Sequence, residues 1–166
     1  MLLNKEQVKK VIPHRDPFLF IDEVETVVIP NPDIKKENFK DLVGTEVIAW
    51  FEVKDDMPIL GGHFPGNPIL PGVIQVEMMA QSAAFASLGM NGLKIDGVNV
   101  DTLLLGAEAC KFRKPIGPGM KLKVTSYLEK TRGPVVQYDC KVFHNDEIMG
   151  QSKILAKLIV HKGERK

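Results

Sequence analysis

One run restricts the fold more than any other: PGVIQVEMMAQSAAFASL, Pro71 to Leu88. Pro71 suits the first turn of a helix, where its missing N–H costs nothing. Gly89 and the pair Asn91–Gly92 suit the exit. Between them, Val73, Ile74, Val76, Met78, Met79, Ala80, Ala83, Ala84 and Phe85 place apolar surface on every side. A helix that is apolar all round must be buried all round. The rest of the chain therefore has to wrap it, and the small residues Ala80, Ala83, Ala84, Ala86 and Ser87 let the wrapping layer come close.

The flanking segments read mainly as strands. Asn4–Val11 predicts a short helix, with Asn4 and Gln7 spaced for a reciprocal cap. LFIDEVETVVI (Leu19–Ile29) and TEVIAWFEV (Thr45–Val53) are rich in β-branched and aromatic residues, as strands are. The polar stretch Asn31–Leu42 between them reads as an extended loop, with a helical turn as the alternative, and Pro58–Gly72 as turns. After the helix come Leu103–Phe112, KLKVTSYLEK, VVQYDCKVF and Ile148–Val160, separated by turns at Pro115–Gly119, Thr131–Pro134 and His144–Glu147. This order predicts an α+β fold in which a long antiparallel sheet curls around one central helix. With 166 residues, the expectation is one domain spanning 1–166. One sheet cannot cover every side of such a helix, so a second copy or a further layer is also expected.

Charge and cysteine content narrow the function classes. Lys and Arg number 22 against 21 Asp and Glu, a net charge of +1. That leaves no large basic surplus for binding driven by nucleic-acid phosphates. Cys110 and Cys140 have neither metal nor redox spacing. The N-terminal apolar stretch is too short for a secretory signal, and no run suits a membrane span. A cytoplasmic setting is the expectation.

The chemistry concentrates in GHFPGNPILPGVIQVEMMAQ, Gly62–Gln81. Glu77 is the only charged residue between Phe64 and Leu93. Burial disfavours an ionised carboxylate, so its pKa is expected to rise, which would let it donate a proton near neutrality. The competing interpretation is a structural glutamate paired with a distant base. His63 sits on a loop stiffened by Pro65, Pro68 and Pro71, which can hold its ring in a fixed place. An ordinary Pro/Gly loop would look the same. Together, a base and a protonated acid permit elimination of water β to a carbonyl. Free N–H groups at the helix start, near Gly72 and Val73, would polarise that carbonyl. Gln81, four residues after Glu77, lies on the same helix face as a candidate partner for its carboxyl.

PHRDPFLFIDEV (Pro13–Val24), the Gly62–Gln81 block and KFRKPIGPGMKL (Lys111–Leu122) together resemble the FabZ-type 3-hydroxyacyl-acyl carrier protein dehydratases of bacterial type II fatty acid synthesis. The resemblance implies a hot-dog fold and a homodimer, often assembled as a trimer of dimers. It implies His63 of one subunit facing Glu77 of the other, and a cis peptide bond between His63 and Phe64. Gly72, Val73, Phe64 and Gln81 complete the expected substrate-binding set. No metal or organic cofactor is expected, and the acyl chain would arrive on an acyl carrier protein. The basic cluster Lys111, Arg113 and Lys114 is a candidate docking patch for that acidic partner, or else a solvated strand edge. Glu77 separates the chain from the FabA-like dehydratase–isomerases, which have Asp there. Asp16 departs from the aromatic usual in PHRYPF, and the Asn31–Leu42 loop is longer than usual. His14 and Arg15 are expected to be structural. A hot-dog acyl-thioesterase and a non-catalytic acyl-thioester binding module are the alternative functions.

Overall fold

The computed structural model describes residues 1–30, 38–96 and 100–161. Helix α1 spans Lys5–Val11, and its cap forms as the spacing predicts. The Asn4 side chain accepts from the Gln7 N–H at 3.0 Å, and the Gln7 side chain accepts from the Asn4 N–H at 3.0 Å. Strands β1 (Glu23–Val28) and β2 (Glu46–Glu52) follow. Next come a short helix α2 (Pro58–Gly62) and the central helix α3 (Gly72–Ala84). The four remaining strands are β3 (Val100–Phe112), β4 (Lys121–Arg132), β5 (Val135–His144) and β6 (Glu147–Val160).

All six strands form one antiparallel sheet in the order β1-β2-β4-β5-β6-β3. Helix α3 packs against β2, β3, β4, β5 and β6, so the sheet wraps it in the expected hot-dog arrangement. The alternation is plain in β4, where Leu122, Val124, Ser126 and Leu128 are buried, and in β5, where Val136, Tyr138, Cys140 and Val142 are. The β5–β6 hairpin turns on Asn145 and Asp146, both at positive φ. Asn and Asp tolerate that region, and two such residues match the twist of a tight hairpin.

Three local expectations change. The first strand begins at Glu23 rather than Leu19, because Leu19, Phe20 and Ile21 are buried as a loop packed beneath the helix. There the Phe20 N–H bonds to the Gln81 side chain at 2.8 Å instead of joining a ladder. Residues Pro58–Gly62, expected as turn, form α2, with Pro58 in its first turn. The long helix tightens to a 3₁₀ helix over Phe85–Asn91 and ends on Gly92 at φ +60°. Of the Asn31–Leu42 loop, Phe39–Leu42 is a 3₁₀ turn, and 31–37 lies outside the described residues.

The sheet does not cover α3 completely. Ile74, Gln75, Met78, Met79, Gln81 and Ser82 are buried. Val73 is 73% exposed, and Val76, Glu77 and Ala80 are only half-buried. Positions 73, 76, 77 and 80 make one stripe at helical spacing. The edge strand β3 is open as well, with Leu103, Leu104 and Leu105 all exposed.

Candidate active site

His63 caps the C-terminus of α2 on the loop that leads into α3. Its Nδ1 lies 2.8 Å from the Ile69 carbonyl oxygen, while the Ile69 N–H donates to the His63 carbonyl at 2.7 Å. A carbonyl can only accept, so Nδ1 is the donor, and in the neutral ring Nε2 is left with the lone pair. The reciprocal bonds fix the ring across six residues of Pro/Gly loop. The peptide bond between His63 and Phe64 is cis, as the resemblance implied, and Phe64 stacks on the His63 ring with centroids 4.0 Å apart.

His63 lines a cavity of about 260 Å³ with Gly72, Gln75, Phe112 and Arg113. Pro71 precedes α3 and supplies no side-chain cap; the Ile74 and Gln75 N–H groups donate to the Pro71 carbonyl, and the Gly72 and Val73 N–H groups take no side-chain cap. The Gly72 position leaves room for the Phe112 ring: a Cβ there would meet ring carbons at 2.7 to 2.9 Å. Val73, expected beside Gly72, projects from the uncovered stripe and does not line this cavity.

Glu77 lies on a second cavity of about 170 Å³, with Pro13, His14, Ala80, Gln81 and the β3 residues Thr102 and Leu104. Its Oε1 accepts from Gln81 Nε2 at 2.9 Å and sits 3.2 Å from His14 Nε2. Gln81 also donates to the Phe18 carbonyl at 2.9 Å and accepts from the Phe20 N–H. Its amide is thus pinned in one orientation, and it ties the Phe18–Phe20 loop to the helix. A larger cavity of about 440 Å³ lies between Phe18, Phe20, Phe51 and Met57, and neither His63 nor Glu77 lines it.

The electrostatics of Glu77 correct the expectation of a raised pKa. In the chain the carboxyl is held below its ordinary value of 4.5. The hydrogen bond from His14 is the largest cause; burial pushes the other way, and the Gln81 amide adds to the lowering. The acid stands alone only along the sequence, because His14 comes from a segment 63 residues away. The PHR block was the one available signal, and its histidine reads as structural until the fold lays it against Glu77. Gln75 is the second residue that sequence reasoning passed over. An amide in an apolar helix reads as packing, yet this one lines the His63 cavity.

His63 and Glu77 therefore occupy separate cavities of one chain. Each has one polar atom fixed by neighbours and the other free to act. Among the described residues, no group of three His, Cys, Asp or Glu side chains is placed to hold a metal ion, and no helix is long and apolar enough to cross a membrane.

Comparison with known proteins follows the same lines. The ApeI-like family, described as ApeI dehydratase, matches residues 40–152. The 3-hydroxyacyl-[acyl-carrier-protein] dehydratase FabZ of Wolbachia sp. subsp. Brugia malayi (strain TRS) is 32% identical over 158 residues, covering 95% of this chain and 98% of the relative. Among solved structures, the dehydratase heterocomplex ApeI:P from Xenorhabdus doucetiae superposes with a TM-score of 0.66 at 18% identity, covering 92% of this chain and 90% of the other. A hot-dog-like protein from Thermanaerovibrio acidaminovorans gives 0.58 at 14% identity, covering 74% and 88%. The last two bear on the fold alone. By its family model and its FabZ relatives, the chain belongs to the ApeI-like, FabZ-type dehydratase family.

Proposed function

We propose that the chain, 1–166, is a single dehydratase domain that converts a (3R)-3-hydroxyacyl-acyl carrier protein to the trans-2-enoyl thioester and water in cytoplasmic fatty acid synthesis. The observation that carries this reading is the tautomer of His63. The Nδ1–H donates to the Ile69 carbonyl, so in the neutral ring Nε2 is a free base in the same cavity as the start of α3. Nε2 removes the proton α to the thioester carbonyl. The Gly72 N–H supports the negative charge that develops on the carbonyl oxygen, a type of contact worth about 10²–10³ in rate. Glu77 gives its proton to the β-hydroxyl, and the C–O bond breaks to release water. Acid–base groups of this kind contribute about 10²–10⁴ each.

The acid and base come from different copies in this reading. The uncovered stripe of α3 and the open apolar edge of β3 support a homodimer, since both bury apolar surface when a second copy covers them. The β3 residues Thr102 and Leu104 border the Glu77 cavity. Covering that rim takes more water away from Glu77, which strengthens the desolvation that raises its pKa and opposes the effect of His14. A trimer of such dimers is the larger assembly that the family resemblance implies. Arg113 and Lys114, which line the His63 cavity, suit an acidic carrier protein.

The test is a dehydration assay on a (3R)-3-hydroxyacyl thioester, read by the ultraviolet absorbance of the conjugated product. His63→Ala and Glu77→Gln are each expected to lose about 100-fold or more with the fold intact by circular dichroism. Either variant turning over at the wild-type rate would remove that residue from the mechanism. Release of free thiol without enoyl product would instead assign the site to thioester hydrolysis.

A further inference from the structure

Two nitrogen groups meet on one oxygen of Glu77. Gln81 Nε2 lies 2.9 Å from Oε1, and His14 Nε2 lies 3.2 Å from the same atom. A carboxyl oxygen has two lone pairs, so two donors fill Oε1. Oε2 makes no hydrogen bond to any described residue. A proton on this carboxyl therefore belongs on Oε2, with Oε1 as the carbonyl oxygen. Glu77 can then be a neutral acid without giving up either donor.

His14 is a donor here only if its own proton sits on Nε2. The other ring nitrogen argues for that form, because Nδ1 is buried without a hydrogen-bond partner. With the proton on Nδ1 alone, a buried N–H would lack an acceptor, and the Nε2 lone pair would face the lone pairs of Oε1. A ring protonated at both nitrogens would bury the same unmatched N–H. Of the three forms, only the neutral ring with Nε2–H buries no unmatched N–H. His14 thus holds the opposite tautomer to His63, whose Nδ1 donates to the Ile69 carbonyl.

The chain fixes this ring from both sides. Arg15 Nη1 donates to the Ile12 carbonyl at 3.1 Å and to the His14 carbonyl at 2.7 Å. Gln81 grips the segment that follows, through the Phe18 carbonyl and the Phe20 N–H. Among the described residues, His14 and Glu77 are the only titratable side chains that line this cavity.

We propose that His14 is a positioning residue for the dehydration: as a neutral Nε2–H donor it fills Oε1 together with Gln81 and directs the transferable proton to Oε2. The proposal rests on the dehydratase reading above and deepens it. His14 itself gives up no proton. His63 Nε2 takes the α-proton, the Oε2 proton goes to the departing β-hydroxyl, and the C–O bond breaks. The carboxylate that remains is met by donors already in place.

Rates separate this role from two others. A histidine that only favoured the ionised carboxyl would hold back the acid form, so its loss would speed dehydration. A histidine that supplied the proton itself could not be replaced by an amide.

The experiment measures kcat and KM for a (3R)-3-hydroxyacyl thioester with wild type, His14→Leu and His14→Gln. The glutamine puts an amide N–H near the place of the ring Nε2–H and cannot deliver its proton. His14→Leu is expected to lower kcat by about 10- to 100-fold with KM within about two-fold. His14→Gln is expected to stay within about five-fold of wild type in kcat. A His14→Leu rate at or above wild type overturns the proposal, as does a His14→Gln rate as low as that of the leucine variant. If a variant fails to fold, nitrogen-15 NMR of the histidine rings in the wild-type protein still decides. His14 is expected to show Nε2 protonated and Nδ1 bare at the assay pH, and a proton on Nδ1, alone or with Nε2, overturns the proposal. Any of these overturning results alongside wild-type turnover removes His14 alone and leaves the dehydratase reading standing. If wild type forms no enoyl product, that reading falls and this role falls with it.

Discussion

His63 owes its ring orientation to a backbone carbonyl, whereas Glu77 owes its state to two side chains. The Gln81 amide and His14 both act on the same oxygen, Oε1. They favour the ionised form and outweigh burial in the chain as described. Removing the larger influence should move the balance the other way. We predict that His14→Leu raises the Glu77 carboxyl pKa relative to wild type, so that the proton-bearing form persists to higher pH. Carbon-13 NMR titration of the labelled carboxyl checks this, and a pKa that stays or falls contradicts it. Gln81→Leu should act on two levels. It leaves the buried Phe20 N–H without its acceptor, at a cost of about 1–3 kcal/mol in urea unfolding, and it frees the Glu77 carboxyl to rotate.

At the scale of elements, two helix starts behave differently. Helix α1 is closed by a reciprocal Asn4–Gln7 cap, and Asn4→Ala should cost about 1 kcal/mol of stability, measured by urea denaturation. Helix α3 has Pro71 before it and no side-chain cap, and in the proposed mechanism its Gly72 N–H serves the substrate. Gly72 there is a matter of space, because Phe112 lies across it. An alanine at 72 must displace that ring. Since Phe112 is itself half exposed, the ring can swing outward. Gly72→Ala is therefore expected to reduce dehydration well before it lowers the melting temperature; an unaltered rate would mean the ring position is irrelevant to the site. The strands were legible from alternation alone, as β4 and β5 illustrate. Leu19–Asp22 was not, because its apolar residues satisfy a strand pattern while its backbone bonds elsewhere. The loop donates to Gln81 and to Trp50, and both partners come from distant parts of the sequence.

At the scale of the whole molecule, the question is what covers the stripe Val73–Val76–Glu77–Ala80 and the edge of β3. A glutamate placed on that edge, Leu105→Glu, should shift the protein to a lighter species in sedimentation and abolish turnover with it. Co-expressing His63→Ala with Glu77→Gln chains gives a stricter test. Random pairing makes half of the dimers mixed, and each mixed dimer holds one site with both groups intact, so about a quarter of wild-type activity should return. No recovery would mean that acid and base belong to the same chain.

The sequence alone determined the central helix and the succession of strands that wraps it, and it singled out His63 and Glu77 as the proposed acid–base pair. Those features are local: apolar periodicity, turn residues and a single carboxylate in a long uncharged stretch. It also carried the family motif, which is a contiguous pattern. Only the tertiary structure decided how those side chains are tuned. His14 reaches Glu77 across 63 positions, Gln81 holds a loop that alternation reads as strand, and Gln75 fills a notch made by Gly150. Each of these depends on which segments the fold places side by side, and hydrogen bonds between distant segments leave no period in the chain to read.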